Sequence, residues 1–97
     1  MKVLWSPLAL DRAGEIADYI AQDSGSAARK WVESIFAKVK RLGKFPESGR
    51  SVPEIKRPDI REIIHGNYRI VYRVRQGHVA ILTVRHGKQK LPTSEII

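Results

Sequence analysis

The chain has 97 residues and no cysteine, which limits it to one domain (residues 1–97) and excludes disulfide scaffolds and thiolate metal sites. Its hydrophobic content of 42% excludes a disordered tail, and no apolar run approaches the roughly 20 residues of a membrane helix, so we expect a cytoplasmic protein without metal or cofactor. The formal net charge is +8, and residues 50–97 carry ten basic against four acidic side chains, which favours a polyanionic partner, either nucleic acid or an acidic protein segment.

A short strand and two amphipathic helices are predicted in the first half of the chain. Lys2 to Trp5 is short and apolar, and the Ser-Pro pair that follows is typical of a helix start. Helical spacing of apolar residues predicts one helix from Pro7 to Gln22 and a second from Ala27 to Leu42, the second capped by Ser26 and closed by Gly43. The short connection between them predicts an antiparallel hairpin. The apolar stripes are Leu10, Ala13, Ile16, Ala17 and Ile20 in the first helix, and Ala28, Trp31, Val32, Ile35, Val39 and Leu42 in the second. A solvated basic surface is expected elsewhere on the second helix, from Lys30, Lys38, Lys40 and Arg41.

The second half of the chain changes from helical to strand periodicity. The connector from Phe45 to Asp59 contains prolines and a glycine and cannot continue a helix. Strands are predicted over Ile60–Ile64, Tyr68–Val74 and Val79–Val84, and the near-continuous apolar character of the last one indicates a central strand covered on one face by the helices. Residues 88–97 have no clear pattern, and we expect them to extend from the sheet as a mobile or frayed tail. The element order predicts an α+β fold of two layers, in which an N-terminal strand joins the sheet edge and a helical hairpin packs on a mainly antiparallel sheet.

Four arginines on three adjacent predicted strands are the candidate binding residues: Arg61, Arg69, Arg73 and Arg85. If they share the sheet face away from the helices, they form one basic patch, and guanidinium groups bind phosphate or carboxylate in bidentate fashion. The alternative is that each arginine pairs with a local carboxylate. Carboxylates are too few in this half of the chain to neutralise every arginine, so we expect a binding surface.

His86 is the one candidate for catalysis that the residues suggest. It lies between Arg85 and Lys88 at the end of the last predicted strand, and a histidine flanked by cations is a candidate general base near neutral pH. A structural hydrogen-bonding role is the alternative. Ordinary structural positions are expected for the other histidines and two tyrosines, namely exposed turns for His65 and His78 and core or cross-strand contacts for Tyr68 and Tyr72. The residues alone thus predict a small basic α+β domain that is either a binding module or a nuclease.

Several short runs, taken in order and spacing, carry a family resemblance. They are Trp5-Ser6-Pro7-Leu8-Ala9, Phe45-Pro46-Glu47-Ser48-Gly49-Arg50, Arg61-Glu62-Ile63, Asn67-Tyr68-Arg69-Ile70-Val71-Tyr72-Arg73-Val74 and Ile81-Leu82-Thr83-Val84-Arg85-His86-Gly87-Lys88. From residue 3 to about residue 90 the chain resembles the RelE/ParE superfamily of bacterial toxins. The resemblance implies the toxin half of a type II toxin–antitoxin pair, neutralised by a small antitoxin that wraps an acidic, amphipathic C-terminal segment around it.

The superfamily divides by target. RelE-like members cut messenger RNA in the ribosome, using several basic residues and usually a C-terminal Tyr or His. By this resemblance the Arg of the Tyr-Arg-Ile-Val-Tyr run is Arg69, but the paired lysines of the preceding strand fall near Ile60 and Glu62, and residues 91–97 contain neither Tyr nor His. For an RNase, a metal-independent one, the candidate catalytic residues are Arg69, Arg85 and His86, and the partners are the ribosome and messenger RNA.

The ending Arg85-His86-Gly87-Lys88 is instead similar to ParE-type toxins, which bind DNA gyrase and inhibit it without chemistry by the toxin. This resemblance implies a non-enzymatic gyrase inhibitor that meets operator DNA only through its antitoxin and has no membrane partner. Candidate contacts for gyrase or antitoxin are Arg61, Arg69, Arg73, Arg85, His86 and Lys88. The RelE-like RNase is the alternative, because some RelE relatives use a His near this position, and a basic DNA-binding module is a third hypothesis.

Overall fold

The sheet of this protein has five strands in the order β1-β5-β4-β3-β2, and two helices pack on one of its faces. The computed structural model describes residues 1–96. The elements are β1 Lys2–Trp5, α1 Pro7–Ala21, α2 Gly25–Lys40, β2 Arg50–Ser51, β3 Ile60–His65, β4 Tyr68–Arg75 and β5 His78–His86, with short 3-10 helices at Arg41–Gly43 and Thr93–Glu95. Strand β1 pairs in parallel with β5 at the edge, and the other pairs are antiparallel. The predicted α+β fold is confirmed, with β5 inside the sheet and β2 as an additional short strand within the connector.

A serine side chain caps the N-terminus of each helix, and the capping serine of α2 is not the one predicted. Ser6 Oγ accepts a hydrogen bond from the Ala9 N–H at 3.0 Å and starts α1 as expected. The N-cap of α2 is Ser24, whose Oγ accepts from the Ala27 N–H at 3.1 Å. The prediction of Ser26 was therefore wrong by two positions, because Ser24 has the extended backbone that an N-cap needs and Gly25 already lies in the helix.

The two faces of the sheet carry separate apolar clusters. On the helix face, Tyr72 and Ile81 are fully buried with Ile35 of α2. On the opposite face, which we call the outer face, the buried cluster consists of Val52, Ile60, Val71, Leu91 and Ile96. The predicted helix stripes are buried or partly buried except for Leu10, which is 47% exposed. The prediction for Leu10 was wrong, because Ala9 and Ala13 form the inward face of α1 and Leu10 is rotated about 100° from Ala9 and about 60° from Ala13.

Residues 91–96 return across the outer face, and we call them the C-terminal strap. Leu91 and Ile96 are 6% and 4% exposed and pack in the cluster with Val52, Ile60 and Val71. The expectation that this segment extends from the sheet is therefore wrong for residues 91–96, because burial of two large apolar side chains on an apolar face stabilises the packed position. Residues 88–90 are exposed, and Ile97 lies outside the described residues.

Two features of the described chain bear on function classes. Neither helix of residues 1–96 combines the length and the apolar character that a bilayer-spanning helix requires. Among the same residues, no three His, Asp or Glu side chains come together in a group able to hold a metal ion.

Candidate functional site

The four candidate arginines divide between the two faces of the sheet. Arg69 lies directly opposite Arg85 in the β4–β5 register, and both lie on the outer face with Arg73. Arg61 lies opposite Tyr72 in the β3–β4 register and therefore shares the helix face with that tyrosine. Its guanidinium donates to the carbonyl of Gly49 at 2.9 Å. The prediction of one patch of four arginines is wrong for Arg61, because its strand position has the parity of the inward side chains.

Each of the three outer-face arginines pairs with a carboxylate, which is the alternative to an open binding surface. Three of the carboxylates each contact two arginines, so they engage every outer-face arginine without balancing all of the positive charge. The pairs are Asp59 with Arg57 at 2.8 Å and Arg73 at 3.0 Å, Glu62 with Arg50 at 2.8 Å and Arg69 at 2.7 Å, and Glu95 with Arg12 and with Arg85 at 3.1 Å. The outer face is thus a network of ion pairs and not an open basic surface.

Arg69 is the most enclosed of these cations. Its side chain is 8% exposed, and it donates to Glu62 at 2.7 Å and to both oxygens of Glu54 at 2.8 Å. The hydrogen bonds from Arg69 lower the pKa of the Glu54 carboxyl to about 2, and the same carboxylates raise the pKa of Arg69 above its usual value. The Glu62 side chain is fully buried. Arg69 is therefore a permanently charged group whose charge is balanced inside the protein.

The second enclosed contact joins the C-terminal strap to α1 and β5. Glu95 accepts hydrogen bonds from Arg12, from Arg85 at 3.1 Å and from the Thr83 hydroxyl at 2.8 Å. Burial by itself raises the pKa of Glu95, but the bonds from Arg12 and Thr83 and the charge of Arg85 outweigh it and leave that pKa below its usual value. Arg12 reaches this position because β1 pairs only with residues 78–81 of β5, which leaves the remainder of that strand beside α1.

His86 lies partly buried in a groove of about 530 Å³ between α1 and the end of β5, together with Tyr19, Tyr68 and Arg85. Its ring meets Tyr68 edge to face, with ring centroids 5.6 Å apart. The Lys88 N–H donates to His86 Nδ1 at 3.1 Å. This contact occupies the Nδ1 lone pair, which a general base at that nitrogen would need.

The other histidines and tyrosines lie in structural positions. Tyr72 is fully buried, and its hydroxyl donates to the Pro46 carbonyl at 2.8 Å and accepts from the Gly49 N–H at 2.9 Å. Tyr68 is partly buried against the core, so the core or cross-strand prediction for both tyrosines is confirmed. His65 and His78 are partly buried, not exposed. His65 packs on α2, where burial and the nearby positive charge of that helix lower its pKa.

A second basic surface, at the end of α2, was not predicted as a site. Lys40, Arg41 and Lys44 surround Phe45 and the N-terminal Met1, which are 54% and 56% exposed. We call this group the α2-end patch. None of its three cations forms an ion pair with a described residue. The sequence indicated this patch only weakly, because Met1 and the other residues of the patch are some forty positions apart in the chain. They meet in the fold, where the terminal amine donates to the Gly43 carbonyl at 2.9 Å.

Comparison with known proteins identifies the family. The family model described as "ParE toxin of type II toxin-antitoxin system, parDE" matches residues 3–91. The chain belongs to this family. A protein of Sinorhizobium fredii named "Putative toxin Y4kP" is 38% identical over 93 residues, which cover 94% of this chain and 93% of that protein.

A solved structure supports the fold of this ParE-family toxin. The structure titled "Chromosomal ParDE TA system from P. aeruginosa" matches with a TM-score of 0.76, covering 89% of this chain and 95% of that one at 24% identity. The predicted resemblance to the RelE/ParE superfamily, on its ParE branch, is thus confirmed. Membership makes the chain a ParE-like toxin of a type II toxin–antitoxin system and implies an antitoxin as its partner. The binding roles predicted for six residues stay predictions: Arg61, Arg69, Arg73, Arg85, His86 and Lys88.

Proposed function

We propose that this ParE-family toxin inhibits DNA gyrase in the cytoplasm by binding to it, without chemistry of its own. The observation that carries this proposal is the environment of Arg69, the arginine that the RNase alternative requires. Its side chain is 8% exposed and is held by Glu54 and Glu62. A guanidinium already paired with two carboxylates offers little attraction to an RNA phosphate, so Arg69 is a structural residue under this proposal.

The contacts of His86 and Arg85 support the same proposal. Cleavage of RNA by attack of its own 2′-hydroxyl needs a base to remove the proton and cations to stabilise the phosphate. The Lys88 N–H occupies Nδ1 of His86 at 3.1 Å, and Glu95 holds the Arg85 guanidinium at 3.1 Å. Both candidate catalytic groups are therefore engaged within the protein.

The α2-end patch supports neutralisation by an acidic antitoxin segment. Lys40, Arg41 and Lys44 carry unbalanced positive charge, and Phe45 adds exposed apolar surface between them. An acidic, amphipathic segment matches both properties, because its carboxylates pair with the cations while its apolar side chains cover Phe45. Operator DNA is then contacted through the antitoxin and not by the toxin alone.

The deciding experiment compares the two targets with the same purified toxin. We expect the protein to block supercoiling of relaxed plasmid by DNA gyrase and to leave messenger RNA intact in a translating ribosome extract. Cleavage of ribosome-bound RNA that is lost in His86→Ala would overturn the proposal and establish the RNase.

Charge reversal tests the antitoxin surface. We expect a Lys40→Glu/Lys44→Glu variant to bind the antitoxin at least about tenfold more weakly in low salt, with the difference shrinking as salt increases. The matched control is Arg29→Glu/Lys30→Glu, which makes the same charge change at exposed positions near the other end of α2. Equal losses of affinity in the two variants would show that the total charge matters and the patch does not.

A further inference from the structure

The C-terminal strap places one carboxylate in a site built by two other elements. Arg12 of α1 and Arg85 of β5 both donate to Oε2 of Glu95, the second at 3.1 Å, and the Thr83 hydroxyl donates to Oε1 at 2.8 Å. The Glu95 side chain is 10% exposed. Three donors that belong to α1 and β5 therefore converge on a carboxylate that the strap supplies.

The two arginines use only part of their hydrogen-bonding capacity on Glu95. Each donates to it through one Nη atom, while Nε of Arg12 and Nε of Arg85 are buried and have no hydrogen-bond partner among residues 1–96. A guanidinium binds a carboxylate most strongly through two parallel N–H···O bonds. Glu95 makes no such pair with either arginine, so a carboxylate that approaches from a different backbone position can form more bonds in the same site.

Among the described residues, no backbone–backbone hydrogen bond joins the strap to the sheet. Its backbone–backbone hydrogen bonds in residues 91–96 are internal, from the Glu95 N–H to Pro92 and from the Ile96 N–H to Thr93. The attachment to the rest of the protein comes from Glu95 and from the buried side chains of Leu91 and Ile96. A segment without backbone pairing to the core opens locally at a lower free energy than the whole domain.

We propose that Arg12, Thr83 and Arg85 form a binding site for a carboxylate of an acidic partner segment, and that Glu95 occupies this site as an internal ligand in the free toxin. When the strap lifts, Arg85 loses its counter-charge and Arg12 keeps only the exposed Glu15, at 3.2 Å, which favours capture of another carboxylate. The apolar cluster that Leu91 and Ile96 leave open then receives apolar side chains of the partner. The identification of this partner as the antitoxin rests on the proposed neutralisation. The existence of the carboxylate site does not depend on it.

The test uses the strap sequence as its own probe. The probe is a fluorescein-labelled peptide of residues 90–97, KLPTSEII, and the proteins are full-length chains. We expect a Glu95→Gln/Ile96→Ser variant, whose internal strap is weakened, to bind this peptide at least tenfold more tightly than the wild-type chain does. A peptide with Gln in place of its Glu should bind that variant at least tenfold more weakly, and addition of Arg85→Met should cause a similar loss.

Arg75→Met is the matched control, since Arg75 is exposed on β4 and forms no ion pair among the described residues; it should leave peptide binding unchanged. Equal binding of the Glu and Gln peptides, or no effect of Arg85→Met, would overturn the inference. Displacement of the labelled peptide by a short RNA or DNA oligonucleotide at a lower concentration than by unlabelled peptide would also overturn the inference, because the site would then prefer phosphodiesters to carboxylates. If circular dichroism shows that the double variant is unfolded, Glu95→Gln alone takes its place and should bind at least threefold more tightly than wild type. The assay contains neither gyrase nor antitoxin, so its failure leaves the supercoiling test unaffected.

Discussion

Replacing Arg69 with methionine tests the ion network on the outer face of the sheet. Removal of Arg69 affects its two carboxylate partners differently. The Glu54 side chain is 36% exposed and can turn toward water, whereas the Glu62 side chain is 0% exposed and keeps only Arg50, at 2.8 Å. Arg50 is itself 63% exposed, so most of its charge is screened by solvent. The Glu62 carboxylate therefore loses its buried counter-charge and cannot leave the core.

The expected loss of stability is large for a domain of this size. Removing one partner of a buried ion pair costs about 3–5 kcal/mol, and we expect about 3 kcal/mol here because Arg50 remains beside Glu62. Loss of the partly exposed Glu54 contact adds only about 0.5 kcal/mol. Domains of this length unfold with roughly 5–15 kcal/mol, and 1 kcal/mol shifts the Tm by about 4–8 °C, so a total loss of about 3.5 kcal/mol should lower the Tm by about 14–28 °C.

Equilibrium unfolding in urea, followed by fluorescence of the partly buried Trp5 and Trp31, measures this loss. Arg75→Met is the matched control on the same strand and should change the free energy of unfolding by less than about 0.5 kcal/mol. A double Arg69→Met/Glu62→Leu variant should recover about 2 kcal/mol of the loss, because it removes the stranded charge. A loss below about 1 kcal/mol for Arg69→Met, or no recovery in the double variant, would refute the reasoning.

Three further predictions concern acid stability, a close backbone contact and a helix cap. The pKa of Glu54 is lowered to about 2, so its stabilising contribution is complete above about pH 4.5 and is lost as the pH falls toward 2. After solvent screening, the free energy of unfolding in urea should fall by about 0.5 kcal/mol over this range, and by less in Glu54→Gln. Gly49→Ala should lower the free energy of unfolding by about 2–3 kcal/mol, because its Cβ would lie 2.5 Å from the Tyr72 hydroxyl. Gly14→Ala should raise it by about 0.5–1 kcal/mol, because its Cβ meets nothing within 4 Å. Tm shifts of the same sign in the two variants would contradict this contrast. Ser6→Ala should lower the free energy of unfolding in urea by about 1–2 kcal/mol, since it removes both the N-cap of α1 and a hydrogen bond to the Leu82 carbonyl at 3.1 Å. Full stability in Ser6→Ala together with a loss in Ser6→Thr would contradict the capping role of the Ser6 hydroxyl.

Local patterns along the chain were sufficient to predict most of the fold. Alternation from Tyr68 to Val74 and the helical spacing from Ala28 to Leu42 each identify a buried face, because side-chain direction follows from backbone geometry alone. The position of the α2 cap was missed because two serines, Ser24 and Ser26, satisfy the same local rule. The packing of Leu91 and Ile96 was missed because two apolar residues in an irregular segment have no period to detect.

The candidate site could be predicted only in part. Arg69 and Arg85 were expected to share a face, and they lie directly opposite each other. Arg61 was misplaced because the relative parity of β3 and β4 depends on the turn between them, which sets the register. The partnership of Arg12 with Glu95 spans 83 positions, and no local pattern relates two residues so far apart.

Composition and order of residues by themselves determined that this protein is small, basic and α+β, and the motifs along the chain were sufficient to indicate the ParE branch. The location of its unbalanced charge required the folded chain. In the sequence, residues 50–97 hold most of the excess positive charge. In the fold, Arg69, Arg73 and Arg85 from this half meet carboxylates, whereas Arg75 and the three cations of the α2-end patch, which come from the first half, form no ion pair with a described residue. The physical reason is that ion pairing acts over about 4 Å in space, and such distances are set by strand register and by the return of the C-terminal strap.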